Sequence, residues 1–341
     1  MKPDILSVNE IQYDLPKVPN NNYSSMGNNS NLFAKDIRNN TLAYSIFYPA
    51  NTGFNALRNS KNEYVRNPNK EEVQKYSDGI NFGMFPGQYS TAGLTKYKIP
   101  SIKVISKISW KQFNPLIDFS FYADEKEKPL PKNMPLFDKN FTDSTLLIEG
   151  HKVHLILLHT VPSYAFGNPK SPNFARNRDQ LLFLKWYLGG TVKFVSNKLM
   201  IHPLQNGVSF IALGDWNADI NERTESSDVL KTLGKLFHYA NDHKAPTYRG
   251  MDIFKDSLLL HLDCILLSND IGVKKHGIFA PTPNFKKLAC QNKIATRDHF
   301  VLVKRNEEQK VCHYLVEKNY YYSKMASDHL AIWADIYFKH T

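Results

Sequence analysis

An apolar run at residues 208–213 is the feature that most limits how this chain can fold. The run is rich in β-forming residues and stops at Gly214, so we expect a buried strand. Asp215 and Asn217 follow at the strand end, where binding and catalytic groups are often carried. In an extended segment their side chains point to the same side and converge on one ligand. A carboxylate beside a neutral amide suits a phosphate group; an ordinary Asx-turn that closes the strand is the alternative.

The length and composition are those of a globular protein. The 341 residues are 42% apolar and 13% aromatic, enough to bury a large core as an α/β domain. No apolar stretch approaches the roughly 18 residues of a membrane span, and the first residues lack the apolar core of a signal peptide. The compartment stays unknown, with secretion open if a native N-terminal part is missing, and we expect a monomer.

Charge and cysteine content narrow the chemistry. The net charge of +11 favours a polyanionic partner, either nucleic acid or an anionic membrane surface. The three cysteines, Cys264, Cys290 and Cys312, have neither CxxC nor zinc-ligand spacing, so no zinc site or disulfide framework is indicated. A pairing of Cys290 with Cys312 is left open.

Two more polar residues end apolar runs in the first half of the chain. Glu10 ends the run at residues 4–11, and a solvated strand-end glutamate is the alternative interpretation. His159 lies at the end of a second run that begins at residue 152. A single histidine there is more often packed or capping than catalytic, but its position after two other strand-end polar residues indicates a shared site.

Three residues near the C-terminus extend the pattern. Asp263 stands inside the apolar run at residues 259–268, where a charge is costly unless it is paired, so it is a candidate partner for a histidine. Asp328 and His329 directly precede the run at residues 330–338. Together these residues supply hard oxygen ligands and proton carriers, which suit the hydrolysis of a phosphate ester with Mg²⁺.

The order of the elements predicts the architecture. Strands alternate unevenly with helices, such as a helical segment that begins at residues 176–179, so we expect two packed sheets with helices outside. Residues 125–140 contain prolines and mixed charges and are expected to form a surface connection.

The segments that contain these polar residues follow a known order. In order and rough spacing they resemble the endonuclease/exonuclease/phosphatase superfamily, which includes deoxyribonuclease I, exonuclease III, neutral sphingomyelinases and inositol polyphosphate 5-phosphatases. The resemblance runs from about residue 3 to the end and implies an α/β fold, the deoxyribonuclease I-like four-layer sandwich of two β-sheets flanked by helices. The five segments are residues 9–10, 158–162, 214–217, 262–265 and 327–329.

The resemblance also implies catalytic roles. Glu10 would bind the catalytic Mg²⁺, with Mn²⁺ or Ca²⁺ as possible substitutes. Asp215 would orient or deprotonate the attacking water, and Asn217 would hold a phosphate oxygen. His159 would lie near the scissile phosphate. In-line displacement needs such an activated water and a clamp on the non-bridging oxygens.

The acid and histidine residues near the C-terminus complete the implied set. His329, paired with Asp263, would stabilise the negative charge that grows on the phosphorus oxygens. Asp328 would support the metal or that histidine. A carboxylate beside an imidazole fixes the tautomer and favours the imidazolium form.

Two segments resemble bacterial members of the superfamily, and the chain departs from the family in two places. Residues 85–89 and 176–179 suggest substrate contacts from Gln88, Tyr89 and Arg176. The family's first strand has no counterpart here, which predicts that a native N-terminal strand and helix are missing. Gly87 stands where deoxyribonuclease I has an acid, so the role of His159 lacks that acidic partner.

A basic, aromatic insert is predicted at about residues 274–326. Between residues 274 and 324 there are eleven lysines and arginines against four acids, a net charge of +7. Lys318 and Lys324 bracket three tyrosines just before Asp328, so cations and rings would contact phosphates and bases. A solvated basic loop is the alternative.

These features predict a metal-dependent phosphoesterase that cleaves phosphodiester bonds, with a nuclease favoured. A phospholipid or phosphoinositide phosphohydrolase acting at a membrane is the first alternative. A catalytically silent, truncated binding module is the second. The sequence does not separate endonucleolytic from exonucleolytic cleavage.

Overall fold

The computed structural model describes residues 2–12, 29–37, 42–195, 199–256, 258–289, 299–307 and 310–339. The chain forms two compact units. The first comprises Met1–Ala240, Asp263–Val273 and Ile336–Thr341, and the second comprises Asn241–Leu262 and Lys274–Asp335. The predicted insert, at about residues 274–326, therefore lies within the second unit.

Two sheets build the first unit. Strands β1, β3 and β2 form an antiparallel sheet in that order, and β4-β5-β6-β7-β9-β8 form a mixed sheet. Strands β6 and β7 run parallel, whereas β9 runs antiparallel to β7. The ends of β6 and β7 and the start of β9 therefore meet at one edge. The strands are β1 (Ile5–Ile11), β2 (Tyr44–Tyr48), β3 (Ser90–Thr95), β4 (Ser101–Ile105), β5 (Phe141–Ile148), β6 (His151–Leu158), β7 (Phe210–Asp215), β8 (His238–Tyr239) and β9 (Asp263–Leu267).

The two sheets pack face to face. The Tyr48 hydroxyl on β2 hydrogen-bonds the Ser144 hydroxyl on β5 at 2.6 Å. Gly93 on β3 leaves room for Leu157 on β6, because a Cβ at residue 93 would lie 3.2 Å from the Leu157 Cδ1 atom. The predicted α/β class with two packed sheets is confirmed.

Helices and a buried aromatic cluster flank the six-stranded sheet. Phe183 of α4 packs at 5.1 Å from Phe137 and 5.0 Å from Phe141, measured between ring centroids. Helix α5 begins after Thr224, whose hydroxyl accepts the Ser227 N–H at 3.1 Å. The helices are α1 (Asn29–Asp36), α2 (Lys70–Tyr76), α3 (Trp110–Phe113), α4 (Asn173–Tyr187) and α5 (Glu225–Leu236).

The prediction of a surface connection at residues 125–140 fits residues 125–133, most of which are exposed, but is wrong for residues 134–140. Met134, Leu136 and Phe137 in this segment are buried, as are Asp138 and Lys139. Apolar residues between the prolines pack into the same core as α4. The composition of the segment concealed this, because proline and charge also occur in irregular backbone that is buried.

The second unit contains a small antiparallel sheet of its own. Strand β13 lies between β11 and β12, and its buried face includes Tyr314 and Val316, which pack with Tyr320. The described part of the basic insert is thus strand and helix, not a solvated loop. The elements of this part of the chain are β10 (Ile271–Phe279), which begins in the first unit, β11 (Phe285–Ala289), β12 (Phe300–Glu307), β13 (Lys310–Glu317), α6 (Lys318–Ala326) and β14 (Ala331–Phe338), which ends in the first unit. Lys293, Arg297, Asp298 and Glu308 of the predicted insert lie outside the described residues.

Across the described ranges, the helices are too short or too polar for a membrane span.

Candidate active site

The parallel strands β6 and β7 place His159 and Asp215 side by side. His159 follows β6 directly and Asp215 ends β7, and both are buried. The His159 Nε2 atom lies 3.4 Å from the Asp215 Oδ2 atom. A glycine makes this approach possible: Gly214 has φ +151°, and a Cβ there would lie 1.9 Å from the carbonyl oxygen of Leu158.

Glu10 approaches the same histidine from the other sheet. The register of β1 against β3 shifts between Val8 and Ile11, and within this bulge Glu10 adopts φ 57°. Its Oε1 atom lies 4.0 Å from the His159 Nε2 atom, and its side chain is 56% exposed. The imidazole nitrogen therefore faces one buried and one accessible carboxylate. Strained backbone of this kind is commonly found at functional sites.

Asn217 converges on Asp215, but not through extended backbone. Its φ is 47°, and its main-chain N–H donates to Asp215 Oδ1 at 2.9 Å in an Asx-turn. Its side-chain Nδ2 donates to Asp215 Oδ2 at 3.0 Å and to the carbonyl of Thr160 at 3.1 Å. The sequence left two alternatives, an Asx-turn or the side chains of Asp215 and Asn217 converging. The structure has both. A phosphate contact from this amide would replace one of these two bonds.

Asp263 adds a second carboxylate beside Asp215. The two residues are paired across β7 and β9, and one carboxylate oxygen of each lies within 4.8 Å of the other. Both side chains are buried. Neighbouring buried carboxylates repel one another unless a cation or proton lies between them. With the accessible carboxylate of Glu10, this all-oxygen donor set fits Mg²⁺ or a similar hard cation.

Gln88 and Tyr89 lie at the start of β3. Gln88 is half-buried, and its Oε1 accepts the Met84 N–H at 2.6 Å. Tyr89 packs against Phe82, with ring centroids 6.2 Å apart. Burial, and secondly the charge of Glu10, raise the pKa of Tyr89 to about 12. The hydroxyl is therefore protonated at neutral pH and can donate a hydrogen bond.

Arg176 is a structural residue, and the predicted substrate contact is wrong. The guanidinium is buried in α4 and donates to the carbonyls of Leu136, Ile80 and Pro135 at 3.0, 3.1 and 2.8 Å. It also donates to Asn81 Oδ1 at 2.7 Å. Burial lowers the pKa of Arg176 to about 10, although Asp138 and Asp78 oppose that shift. The guanidinium clamps main-chain carbonyls from two loops of the first unit.

The residue next to it, Asn177, is a site residue that sequence reasoning missed. Its buried side-chain nitrogen lies 2.9 Å from the Thr160 hydroxyl and 2.7 Å from the Val161 carbonyl. It lies 3.1 Å from the Trp216 carbonyl and 3.4 Å from that of Asn217. Residues 176–179 did indicate a functional segment, but the charge of Arg176 favoured it over Asn177 as a phosphate contact.

A buried ion pair supports the segment after His159. The Lys139 ammonium donates to Asp138 Oδ2 at 2.8 Å and to the Thr160 carbonyl at 3.1 Å. Burial alone would raise the pKa of Asp138, but Lys139 and Arg176 lower it below its usual value. Gln180 completes this support by accepting the Val161 N–H at 2.8 Å and donating to Asp138 Oδ1 at 3.2 Å.

Asp328 and His329 lie in the second unit, where their backbone is firmly held. The Asp328 carbonyl accepts the Arg249 N–H at 3.0 Å. His329 pairs with Tyr248 in a β-bridge, and the two rings lie 5.1 Å apart. The catalytic roles of both residues stay predictions.

Lys318 and Lys324, the two predicted substrate-binding lysines, differ sharply. Lys324 is buried in α6, and its ammonium donates to the Gly250 carbonyl at 3.0 Å and to Asp256 Oδ1 at 2.8 Å. Its predicted substrate contact is therefore wrong. Lys318 begins α6 with a half-buried side chain and stays a candidate.

The cysteines are distributed in two states. Cys264 is a buried free thiol in β9, where burial, with nearby acids, raises its pKa well above the ordinary value. Cys312 is disulfide-bonded. Cys290, with which a pairing was left open, lies outside the described residues.

Comparison with known proteins identifies the fold. Neither a protein-family model nor a curated protein matches this sequence. A solved endonuclease/exonuclease/phosphatase from Beutenbergia cavernae DSM 12333 is similar, with a TM-score of 0.54 and 12% identity over 99% of this chain and 63% of that chain. This chain thus spans less than two thirds of that chain's length.

Two other solved structures are similar at lower scores. An endonuclease/exonuclease/phosphatase family protein from Leptotrichia buccalis C-1013-b has a TM-score of 0.43 and 13% identity, covering 98% of this chain and 100% of its own. The human Nocturnin catalytic domain has a TM-score of 0.43 and 13% identity, with coverages of 99% and 82%. On the evidence of the Beutenbergia structure, the predicted fold is confirmed, and this chain folds as an endonuclease/exonuclease/phosphatase protein does.

Proposed function

We propose that this protein is a metal-dependent phosphoesterase that hydrolyses phosphodiester bonds. The observation that carries the proposal is the cluster of Glu10, His159, Asp215 and Asp263 at one edge of the first unit. Buried carboxylates around an imidazole are expensive to assemble, and the usual reason for assembling them is a cation and a proton transfer.

Asp215 is suited to act as the general base. Asn217 donates to both of its carboxylate oxygens, at 2.9 and 3.0 Å, which fixes the plane of the carboxylate. A carboxylate held in this way can accept the proton of an attacking water without reorienting. Asn217 thus positions the base in the resting site.

His159 is suited to carry a proton and positive charge beside the phosphate. Its Nε2 atom faces Asp215 at 3.4 Å and Glu10 at 4.0 Å, within reach of both carboxylates. An imidazolium at this point lowers the charge repulsion between the acidic site and a phosphate.

Mg²⁺ is the proposed cofactor, with Mn²⁺ and Ca²⁺ as alternatives. Glu10 and Asp263 are the residues in the first unit that would hold it, and the metal-binding role of Asp328 stays a prediction. Such an ion, when bound, polarises the phosphate and neutralises the charge that develops on its oxygens.

Nucleic acid is the proposed substrate. The described part of the insert carries exposed cations on its strands, and the chain as a whole has a charge of +11. Cations that neutralise several phosphates give strong and salt-dependent binding. The exposed lysines on these strands include Lys274, Lys275, Lys286, Lys287 and Lys304.

A lipid substrate is the second candidate, and an exposed aromatic pair favours it. Tyr164 and Phe166 lie in the loop after His159 and are 61% and 60% exposed, with their rings 5.0 Å apart. Ser163 in the same loop donates its N–H to the Asn217 carbonyl at 3.1 Å, so the pair is close to the proposed site. Exposed aromatic residues of this kind can insert into a membrane surface.

Hydrolysis assays on plasmid DNA, RNA, sphingomyelin vesicles and bis-p-nitrophenyl phosphate, each with Mg²⁺ and with EDTA, test the proposal. We expect metal-dependent cleavage of at least one nucleic acid. Asp215→Asn and His329→Ala should lower the rate by about 10²–10⁴-fold while the circular dichroism spectrum is unchanged. Full activity in EDTA, or near-normal rates in both variants, would contradict the proposal. Cleavage of sphingomyelin alone would select the lipid candidate, and no cleavage of any substrate would favour a binding module.

A further inference from the structure

Helix α4 contacts the catalytic edge of the sheet through buried amides, and Asn177 is the one bonded to both segments that end there. The four acceptors within 3.4 Å of the Asn177 Nδ2 atom all belong to two short segments. Residues 160–161 follow His159, and residues 216–217 follow Asp215. The amide therefore lies between the segments that carry the two central side chains of the proposed site.

The hydrogen-bond chemistry makes this a shared contact. An amide nitrogen has two hydrogens, so the four acceptors at this range share them, and two of these acceptors belong to each segment. The Thr160 hydroxyl reinforces the link by donating to the Trp216 carbonyl at 2.6 Å. Two main-chain bonds close it: the Thr160 N–H donates to the Asp215 carbonyl at 3.2 Å, and the Ser163 N–H donates to that of Asn217 at 3.1 Å.

We propose that Asn177 is a positioning residue that sets the separation of His159 and Asp215. It touches neither side chain and acts through the backbone of residues 160–161 and 216–217. The proposal rests on the proposed function for its catalytic consequence, but the mechanical link it describes can be measured without any substrate. Misplacement of catalytic groups by about 1 Å can cost about 10²-fold in rate.

Asn51 provides a matched control in the same unit. Its side-chain nitrogen donates to the carbonyls of Ser106 and Phe137, each at 2.8 Å, and so also joins two chain segments. Neither segment carries a proposed catalytic side chain. Asn51→Ala should therefore remove a comparable pair of hydrogen bonds and lower thermal stability, with any faster exchange centred on residues 106 and 137 and not on residues 160 and 163.

The test compares amide hydrogen exchange and steady-state kinetics in Asn177→Ala, Asn51→Ala and the wild type. We expect Asn177→Ala to speed exchange of the Thr160 and Ser163 amides at least about tenfold more than exchange of other strand amides. The kcat on the best phosphodiester substrate should fall about 10²-fold, with KM within about twofold. Asn51→Ala should show neither effect.

Thr160→Val gives a second variant if Asn177→Ala does not fold, because it removes only the hydroxyl of the same link. The same changes in smaller measure are expected. The proposal would be overturned if Asn177→Ala sped hydrogen exchange equally at all strand amides, or if Thr160→Val kept wild-type exchange rates and kcat. Asn177 would then be a structural residue. If the wild type hydrolyses no substrate while the selective exchange effect is seen, the proposed function fails and the mechanical link stands.

Discussion

The backbone of Gly214 lies against the carbonyl oxygen of Leu158, and a Cβ atom at residue 214 would be only 1.9 Å from that oxygen. Gly214 is thus the residue that lets β7 approach the end of β6 closely enough for Asp215 to face His159. Any side chain at this point must push the two strands apart. The edge that carries the proposed site therefore depends on a backbone contact as much as on its acidic residues.

Gly214→Ala should lower the free energy of unfolding by about 3 kcal/mol or more, because the clash is with backbone that cannot move aside. Gly207→Ala is the control: Gly207 has φ +80° but nothing within 4 Å of its Cβ position, so only the conformational cost of about 1–2 kcal/mol applies. Urea unfolding of both variants measures the difference. Equal losses would show that the strand contact is not limiting.

Glu10→Gln should weaken divalent-cation binding about tenfold or more, because a charged oxygen ligand becomes a neutral one. Isothermal titration with Mg²⁺ and Mn²⁺ measures the change, with Glu63→Gln on an exposed loop as the control. Unchanged affinity in Glu10→Gln would remove this residue from the proposed metal site.

The same Glu10→Gln variant should lower the pKa of Tyr89 from about 12. Burial is the larger cause of the raised pKa and is retained, so the new value should stay above the ordinary 10.0, but the repulsion from the Glu10 carboxylate is lost. Ultraviolet titration, with Tyr89→Phe in each background to identify the signal, measures the shift. An unaltered titration would show that the two groups are not coupled.

Asp138→Asn should destabilise the protein most at neutral pH. The pKa of Asp138 is lowered in the folded state, so its stabilising effect is complete above the unfolded value near 3.8 and is lost as pH falls through the folded value. Removing one partner of a buried pair costs about 3–5 kcal/mol. Urea unfolding at pH 7 and pH 3 should therefore show the gap from wild type narrowing at the lower pH. A constant gap would contradict this assignment.

Lys324→Ala and Lys318→Ala should separate stability from substrate binding. Lys324→Ala removes the hydrogen-bond donor of Asp256 and of two main-chain carbonyls, so it should lower the melting temperature. Lys318→Ala should leave the melting temperature unchanged and reduce the slope of log affinity against log salt by about 1 for short DNA. A changed salt slope in Lys324→Ala, with no loss of stability, would reverse the two roles.

Sequence patterns were sufficient to predict the strand-end residues of the first unit. Apolar runs that stop at polar residues locate Glu10, His159 and Asp215, and the sheet topology brings all three together. The helical segment expected to begin at residues 176–179 corresponds to α4. These features depend on local pattern and on which strands are buried, and both can be read from sequence.

The assignments that failed depend on tertiary contacts. Arg176 and Lys324 carry charges that sequence reasoning directs to the substrate, yet both are buried against main-chain carbonyls contributed by distant segments. The left-handed backbone of Asn217 was not predictable either, because an extended strand end and an Asx-turn are equally compatible with the same residues.

The proposed site draws Glu10 from the three-stranded sheet and the residues around it from the six-stranded sheet. A cation or phosphate held by both would therefore act as a non-covalent cross-link through the sandwich. Ligand that binds only this closed arrangement adds to stability by mass action. Occupancy should then slow opening of β1, an edge strand that, among the described strands, pairs with β3 alone.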